Sequence, residues 1–548
     1  MSDQPDMLKD KLIIGIDLGT TKSAVAVWND QAIEVLNDSA GRAFTPSIVG
    51  WDRERHEWLI GHAARDLGVS HPGDVIYSIK RYIGRSFSSD PSVLYGRQDL
   101  TYTLISGGGT DQLRDVVADL GEDRGAPLRL SAPEVSAKVL AKLRDDAAAA
   151  LGIEPSQLSY AVITVPAYFN VLQRRATILA GKLAGLEVVG ILNEPTAAAL
   201  AYSGNAQVLT TEERRILIYD LGGGTFDISL LEARRDDAGY LFYTLVVDGN
   251  TRLGGDDIDA SVARWIAEEI ERLHDHPVRP DDQVTRARLR RAAEQAKIDL
   301  TTRDSTTIDL PALDLGSGSP FDMRIELTRA QLEQRAAEVV RKTIEITRRA
   351  VEDVAGLGWD KIDEVILVGG PTLMPIVQRE VERLTGRRPL VSDQPQLTVA
   401  LGAGEYAHIL SQGQEKFQEN ALINVIALPL GIRLDDDTFE PLVEANATVP
   451  HTSRAFPVTT TEDNQKTIHV EVLQGPRGAT RADQCVVLGS VDMEVPAAPA
   501  RTPKFEIIFD VQSDGTMKAI VNDTRRNRTA TLDIVETRTL TWRDRSLT

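Results

Sequence analysis

The stretch Ile216–Asp227, Ile-Leu-Ile-Tyr-Asp-Leu-Gly-Gly-Gly-Thr-Phe-Asp, constrains the fold more than any other part of the chain. An apolar strand runs into Asp220. Three glycines turn the backbone, and Thr225 opens a second strand, Phe226 to Leu230. Glycine accepts positive φ and leaves its N–H groups open to close approach. Successive N–H groups in such a turn form a nest for an anion. Asp220 and Asp227 flank it with carboxylates suited to Mg²⁺, a hard cation that keeps several waters. A nucleotide phosphate with its metal fits this pattern. An ordinary Gly-rich hairpin turn is the plainer alternative.

The pattern recurs near the start of the chain. Ile14-Gly15-Ile16-Asp17-Leu18-Gly19 repeats the order of apolar strand, Asp, Leu and Gly, with Thr20 and Thr21 next and a strand from Ser23 to Trp28. Two such turns at domain-sized separation indicate an internal duplication. They predict two lobes closing on one nucleotide from opposite sides. The Gly-Lys-Ser/Thr ending of a Walker A loop is absent.

Between and after the hairpins, strands alternate with helices, which argues for an α/β architecture. Ser131 and Glu134 have capping-box spacing, and Val135, Val139, Leu140 and Leu143 repeat at helical period through Leu151. Ala161–Val165 reads as a buried strand, Leu172–Leu183 as a helix, and Asn193-Glu194-Pro195-Thr196 opens an Ala-rich helix to Tyr202. Arg286–Leu300 is helical, with Glu294 and Lys297 one turn apart; their plain reading is a solvated ion pair. Glu364–Val368 is a strand followed by Gly369-Gly370 and a helix from about Met374, an anion-friendly corner or a plain tight turn.

The character changes after about Gln414. Glu419–Leu430 is an apolar-bearing connector. Beyond it, Ile468, Val470 and Val472 alternate with Thr467, His469 and Glu471, and Phe505, Ile507, Phe509 and Val511 alternate likewise. Asp514-Gly515 marks a hairpin. A separate antiparallel β domain follows from these patterns.

Charge and cysteine usage narrow the function classes. Of 548 residues, 81 are acidic and 61 are Lys or Arg, a net charge of −20. That argues against nonspecific binding to nucleic-acid phosphates. The single cysteine, Cys485, excludes a disulfide framework and a multi-cysteine zinc site. The polar start Met1–Lys11 and the lack of a long apolar run lead to the expectation of a cytoplasmic protein that does not enter membranes.

At these residues the chain resembles the 70-kDa heat-shock chaperone family, the DnaK type. The matching stretches are Ile14–Thr21, Val162–Asn170, Asn193–Ala199, Asp220–Asp227, Leu253–Asp256 and Val365–Gly370, with Glu462–Gln465 and Val472–Gly475 in the β region. The resemblance covers about residues 12 to 537, nearly the whole chain. The resemblance implies an actin-like two-lobed ATPase domain over 1–413, a linker over 414–427, and an all-β peptide-binding sandwich over 428–548. With the chain ending at Thr548, no helical lid is expected, and peptide exchange should be fast.

The resemblance also implies residue roles. Gly19, Thr20, Thr21, Gly222, Gly223, Gly224 and Thr225 would hold the phosphates of ATP or ADP, with Gly254 and Gly255 beside them. Asp17 and Asp220 would hold hydrated Mg²⁺. Lys80 would approach the γ-phosphate and the attacking water. Glu194, Asp220, Asp227 and Thr225 would complete the catalytic set by orienting water or relaying its proton. Glu294, Lys297, Thr301, Gly369 and Gly370 would surround adenosine. Pro166 and Arg174 would couple nucleotide state to the β domain. Ile432, Val458, Ile468 and Val470 would contact an extended apolar peptide, although alternation alone makes them sandwich core. Implied partners are unfolded client peptides, a J-domain co-chaperone and a nucleotide exchange factor.

Some positions depart from the family pattern. Leu373 stands where an adenine-stacking arginine is usual, and Gln396 replaces a common acidic residue; both imply weaker ATP affinity. Gly190 takes the place of an arginine used towards J-domain partners, and Asn424 replaces the linker's closing aspartate. Thr461 and Asp435 make the groove more polar. The implied function is an ATP-dependent chaperone that takes part in protein folding and the stress response. Its alternative is a nucleotide-gated binding or regulatory module with little turnover. A sugar kinase or actin-like filament protein fits the hairpins but not the β region.

Overall fold

The computed structural model describes residues 7–534 apart from 98–99, 110, 203–211, 236–238, 275–276, 280–281, 316–319, 414–420, 503, 513–516, 524 and 527. Each Asp-Leu-Gly hairpin forms the centre of its own sheet. The first pairs Ile13–Asp17 with Lys22–Trp28, setting Asp17 opposite Ala24. Ile13–Asp17 also runs parallel to Tyr160–Val165, which runs parallel to Glu187–Asn193. The second hairpin pairs Arg214–Leu221 with Phe226–Arg235, setting Asp220 opposite Asp227. Arg214–Leu221 runs parallel to Glu364–Val368, which runs parallel to Leu390–Val391. A third antiparallel strand, Ile33–Val35 in one sheet and Tyr240–Asn250 in the other, completes the same order twice. The duplication seen in the sequence is therefore a duplication of topology.

Local chemistry sets the helix boundaries. Ala132–Leu151 begins where the Ser131 N–H donates to Glu134 Oε2 at 2.8 Å. Val171–Leu183 begins at Asn170, whose side-chain oxygen accepts from the Gln173 N–H at 2.9 Å. Between the sheets lie Glu194–Ala201 and Thr398–Ser411. Ala197, Ala198, Ala403 and Tyr406 from these helices share one apolar cluster with Val162 of the first sheet and Ile216, Ile218 and Ile366 of the second. The two helices cross backbone to backbone, because a Cβ added at Gly402 would lie 1.7 Å from the Ala197 carbonyl oxygen.

The β region folds as two sheets. One contains Leu430–Arg433, Phe439–Val443, Thr467–Gln474 and Val486–Glu494. The other contains His451–Thr452, Phe456–Thr459, Lys504–Val511, Met517–Asp523 and Arg528–Asp533. The alternating residues Ile468, Val470, Val472, Phe505, Ile507, Phe509 and Val511 all face one buried core. Asp514-Gly515 lies outside the described residues, but the strands on either side pair antiparallel, with Val511 opposite Met517.

Part of the connector is not a loop. Ala421–Ile423 adds a parallel strand to the edge of the second sheet, with Leu422 opposite Phe242 and buried. The start of the connector, 414–420, lies outside the described residues. The β region then docks on the two-lobed unit. The Val171 N–H donates to Gln474 Oε1 at 2.9 Å, and the Val247 N–H to Asn446 Oδ1 at 3.1 Å. Arg477 Nη2 donates to the Val247 carbonyl at 2.6 Å, and the Tyr243 and Thr448 hydroxyls meet at 2.8 Å. Val171 and Leu172 join the apolar cluster of the β region itself. Among the described residues no helix is long and apolar enough to cross a membrane.

Candidate active site

The two hairpins meet tip to tip. A Cβ added at Gly223 would lie 2.4 Å from Thr21 Oγ1, and one at Gly224 would lie 2.5 Å from Thr20 Cγ2. Only glycine permits this approach. The first turn is braced from behind, where Ser47 Oγ donates to the Gly19 carbonyl at 2.8 Å. The second turn is braced by the helix Gly255–His274, whose first N–H groups donate to it. Gly255 N–H reaches the Gly222 carbonyl at 3.0 Å, and Asp256 N–H the Gly223 carbonyl at 2.8 Å. Gly254 packs on the same turn, since a Cβ there would lie 2.5 Å from the Gly223 oxygen. Gly369, at φ +87°, lies against the end of the second strand. A Cβ there would lie 2.2 Å from the Leu221 oxygen and 3.1 Å from Asp220 Oδ1. Both its backbone conformation and its space require glycine.

Beneath the hairpins is a cluster of acids with one lysine. Lys80 sits on a short 3₁₀ turn, Ile79–Tyr82, and is only 4% exposed. Its Nζ donates to Glu194 Oε1 at 2.7 Å and lies 5.6 Å from the centre of the Phe169 ring. Glu194 is the first residue of its helix, where a negative charge meets the positive end of the dipole. Asp17 accepts from Thr164 Oγ1 at 3.2 Å, and Asp227 accepts from the Tyr168 N–H at 3.1 Å. Burial pushes the Asp17 carboxyl up to about 7, with the charge of Glu194 adding to the effect. Burial and Glu194 likewise push Asp227 up to about 8. Asp220 is pushed well above the carboxylate range by burial and by Glu194, Asp227 and Asp17.

Four carboxyl groups face Lys80 and, at longer range, Arg174, and the raised titration of three of them marks a site short of positive charge. A divalent cation with phosphates would supply the missing balance. Among the described residues no three acids converge as direct metal ligands. Carboxylates such as Asp17 and Asp220 fit a hydrated divalent ion of the Mg²⁺ kind.

The residues expected around adenosine lie on the helix Gln283–Asp299 and the turn after Val368. Lys297 does not form the i, i+3 pair with Glu294. Its Nζ is buried and donates to Asp259 Oδ2 at 2.7 Å and the Gly255 carbonyl at 3.3 Å. A tertiary partner outcompetes the local one because Lys297 faces the neighbouring helix rather than solvent. Glu294 is half-buried, and Thr301 ends the helix by donating to the Ile298 carbonyl at 2.6 Å. Lys297 thereby ties this helix to the one that braces the second hairpin.

Arg174 links the acid cluster to the docked β region. It is half-buried, and desolvation pulls its guanidinium down to about 10. It donates to Asn193 Oδ1 at 2.8 Å and to the Ala167 and Phe169 carbonyls at 3.1 and 3.2 Å. Asn193 in turn reaches Asn424 Oδ1 at 3.5 Å. Ala167 and Tyr168, just after Pro166, pack with Val247, Ala427 and Leu428. The segment that holds Asp227 thus touches the connector directly. Gly190 is buried beneath Tyr406, whose ring carbon would lie 3.2 Å from an added Cβ. No long side chain fits at that position.

Of the four positions read as peptide contacts, Ile432, Ile468 and Val470 are buried in the sandwich core, and Val458 packs partly buried against it. Sequence reasoning missed Arg81. Its Nε is buried without a partner, 2.9 Å from where a Gly224 Cβ would stand. It also missed Ser47, Thr164 and Asp259. Arg81 was visible only as the neighbour of Lys80; the others carry no sequence signal.

The sequence model of the family described as "Hsp70 protein" matches residues 13–545 of this chain. The protein named "Chaperone protein DnaK" from Stenotrophomonas maltophilia (strain R551-3) is 39% identical over 523 residues, which cover 95% of this chain and 78% of that protein.

Proposed function

The chain belongs to the Hsp70 family and is an ATP-dependent chaperone and ATPase, and from that premise we propose how its residues divide the work. Gly19, Thr20, Thr21, Gly222–Gly224 and Thr225 cradle the phosphates, with Gly254 and Gly255 supporting the second turn. Glu294, Lys297, Thr301, Gly369 and Gly370 enclose the nucleoside. Asp17 and Asp220 would hold Mg²⁺, and the ion would supply charge neutralisation at the phosphates. Lys80 turns from Glu194 towards the γ-phosphate. Glu194 and Asp227 then orient the attacking water and accept its proton. Such catalysis is positioning and charge stabilisation rather than covalent chemistry. The observation that carries this reading is the buried Lys80–Glu194 contact of 2.7 Å beneath two facing glycine turns.

Residues 1–413 form the ATPase unit, 414–427 the linker, and 428–548 the client-binding sandwich. Extended apolar peptide is the client class. Ile432, Ile468 and Val470, which line the core between the two sheets, and the partly buried Val458 would contact it as the sheets part. The docked β region and the linker strand support nucleotide control of that step. Gly190 under Tyr406 and Asn424 at the connector's end support altered coupling to J-domain partners. The single cysteine supports a cytoplasmic setting.

The test is single-turnover ATP hydrolysis with and without an apolar peptide and a J-domain protein. Stimulation by peptide is expected. Bound nucleotide with no hydrolysis would refute the assignment of Lys80, Glu194 and Asp227, and hydrolysis indifferent to peptide would refute the coupling.

A further inference from the structure

The lobes also touch above the acid cluster, through residues that neither the hairpins nor the acids account for. Ser78, on the first lobe, precedes the 3₁₀ turn that carries Lys80. It adopts a left-handed φ of +52° and is 6% exposed. Its Oγ donates to Asp256 Oδ2 at 2.8 Å, across the cleft and 178 positions along the chain. Asp256 is buried on the first turn of the helix Gly255–His274, and its own N–H holds the Gly223 carbonyl. Arg290 Nη2 approaches the same carboxylate at 3.4 Å, while its guanidinium lies 4.7 Å from the centre of the Tyr77 ring. Arg290 belongs to the helix that carries Glu294 and Lys297. Two further contacts run beside this one, Arg81 Nη2 to Asp257 Oδ2 at 2.9 Å and Arg85 Nη2 to Thr251 Oγ1 at 2.6 Å.

We propose that Ser78 and Asp256 form a latch between the lobes that sets the rate of nucleotide release. The proposal rests on the nucleotide reading of the cleft. One residue gathers three parts, the Lys80 turn and the nucleoside helix through its carboxylate and the second phosphate turn through its N–H, so the cleft cannot widen until the Ser78 contact breaks. A hydroxyl bound to a buried carboxylate is a charge-assisted hydrogen bond, which is stronger than a neutral one. Without the Ser78 hydroxyl the carboxylate keeps Arg290 of its own lobe but loses its hold on the first lobe. Loss of the donor therefore favours opening. Ser78 is a positioning residue and touches no reacting atom.

The experiment follows release of a fluorescent ADP analogue by stopped flow from the full chain. Ser78→Ala should release it roughly tenfold faster or more. Ser78→Asn should restore slow release, because asparagine tolerates left-handed φ and offers an N–H donor. Single-turnover hydrolysis should change far less than release. Ser78→Ala combined with Asp256→Ala should be no faster than Asp256→Ala alone, as expected for partners in one contact. Wild-type release from Ser78→Ala, or equally fast release from Ser78→Ala and Ser78→Asn, overturns the latch. Failure of the wild-type chain to bind the analogue overturns the nucleotide reading beneath it.

Discussion

Gln474→Ala tests how the β region stays docked. Gln474 is 5% exposed, and its Oε1 accepts from the Val171 N–H at 2.9 Å. Val171 is the first residue of the helix Val171–Leu183, so its N–H has no partner within the helix. Truncation at Gln474 orphans that group only while the domains are docked; when they part, water satisfies it. Leaving a buried donor unmade costs roughly 1–3 kcal/mol. The whole of that cost falls on the docked state, so the docked-to-undocked ratio should fall roughly 5- to 150-fold. Hydrogen exchange resolved at Val171 and at the linker strand Ala421–Ile423 reads the shift at both ends of the interface. Both should exchange faster in the variant. If Val171 exchanges no faster in Gln474→Ala, the hydrogen bond does not hold the docked state and the reasoning fails.

Lys80→Ala removes the lysine set among three buried acids and the half-buried Asp17; single-turnover hydrolysis should drop roughly 10²–10³-fold with nucleotide still bound, and a loss under fivefold would remove Lys80 from the catalytic set. Gly402→Ala drives a methyl group into the Ala197 carbonyl at the helix crossing; stability should fall by roughly 1–3 kcal/mol or more in urea titration, and an unchanged midpoint would mean that the crossing yields easily. Leu422→Asp places a charge on the buried linker strand opposite Phe242; exchange protection across Ala421–Ile423 should vanish and peptide stimulation of hydrolysis should disappear, while basal hydrolysis persists. Arg174→Ala severs the bonds to Asn193, Ala167 and Phe169; nucleotide affinity should hold while the peptide response weakens, and an intact response would exclude Arg174 from the coupling route.

The sequence by itself determined what a short window can encode. Apolar strands ending in Asp-Leu-Gly mark both hairpins. Ser131 with Glu134 starts its helix, and period-two alternation fixes which residues fill the sandwich. These signals are local because turn chemistry, capping and side-chain period act over a few residues. The repeated hairpin further determined that the molecule has two related sheets, and its glycines and aspartates marked the site.

The tertiary structure alone decided which distant groups meet. Lys80 with Glu194, Lys297 with Asp259 rather than Glu294, Ser78 with Asp256 and Val171 with Gln474 are all pairings across the fold. It also turned part of the connector into a sheet strand and buried Ile432, Ile468 and Val470. Periodicity says which face of an element is apolar but not what covers it. That depends on how sheets and helices stack and on which polar groups need partners once water is excluded, so it is fixed only when the whole chain has folded.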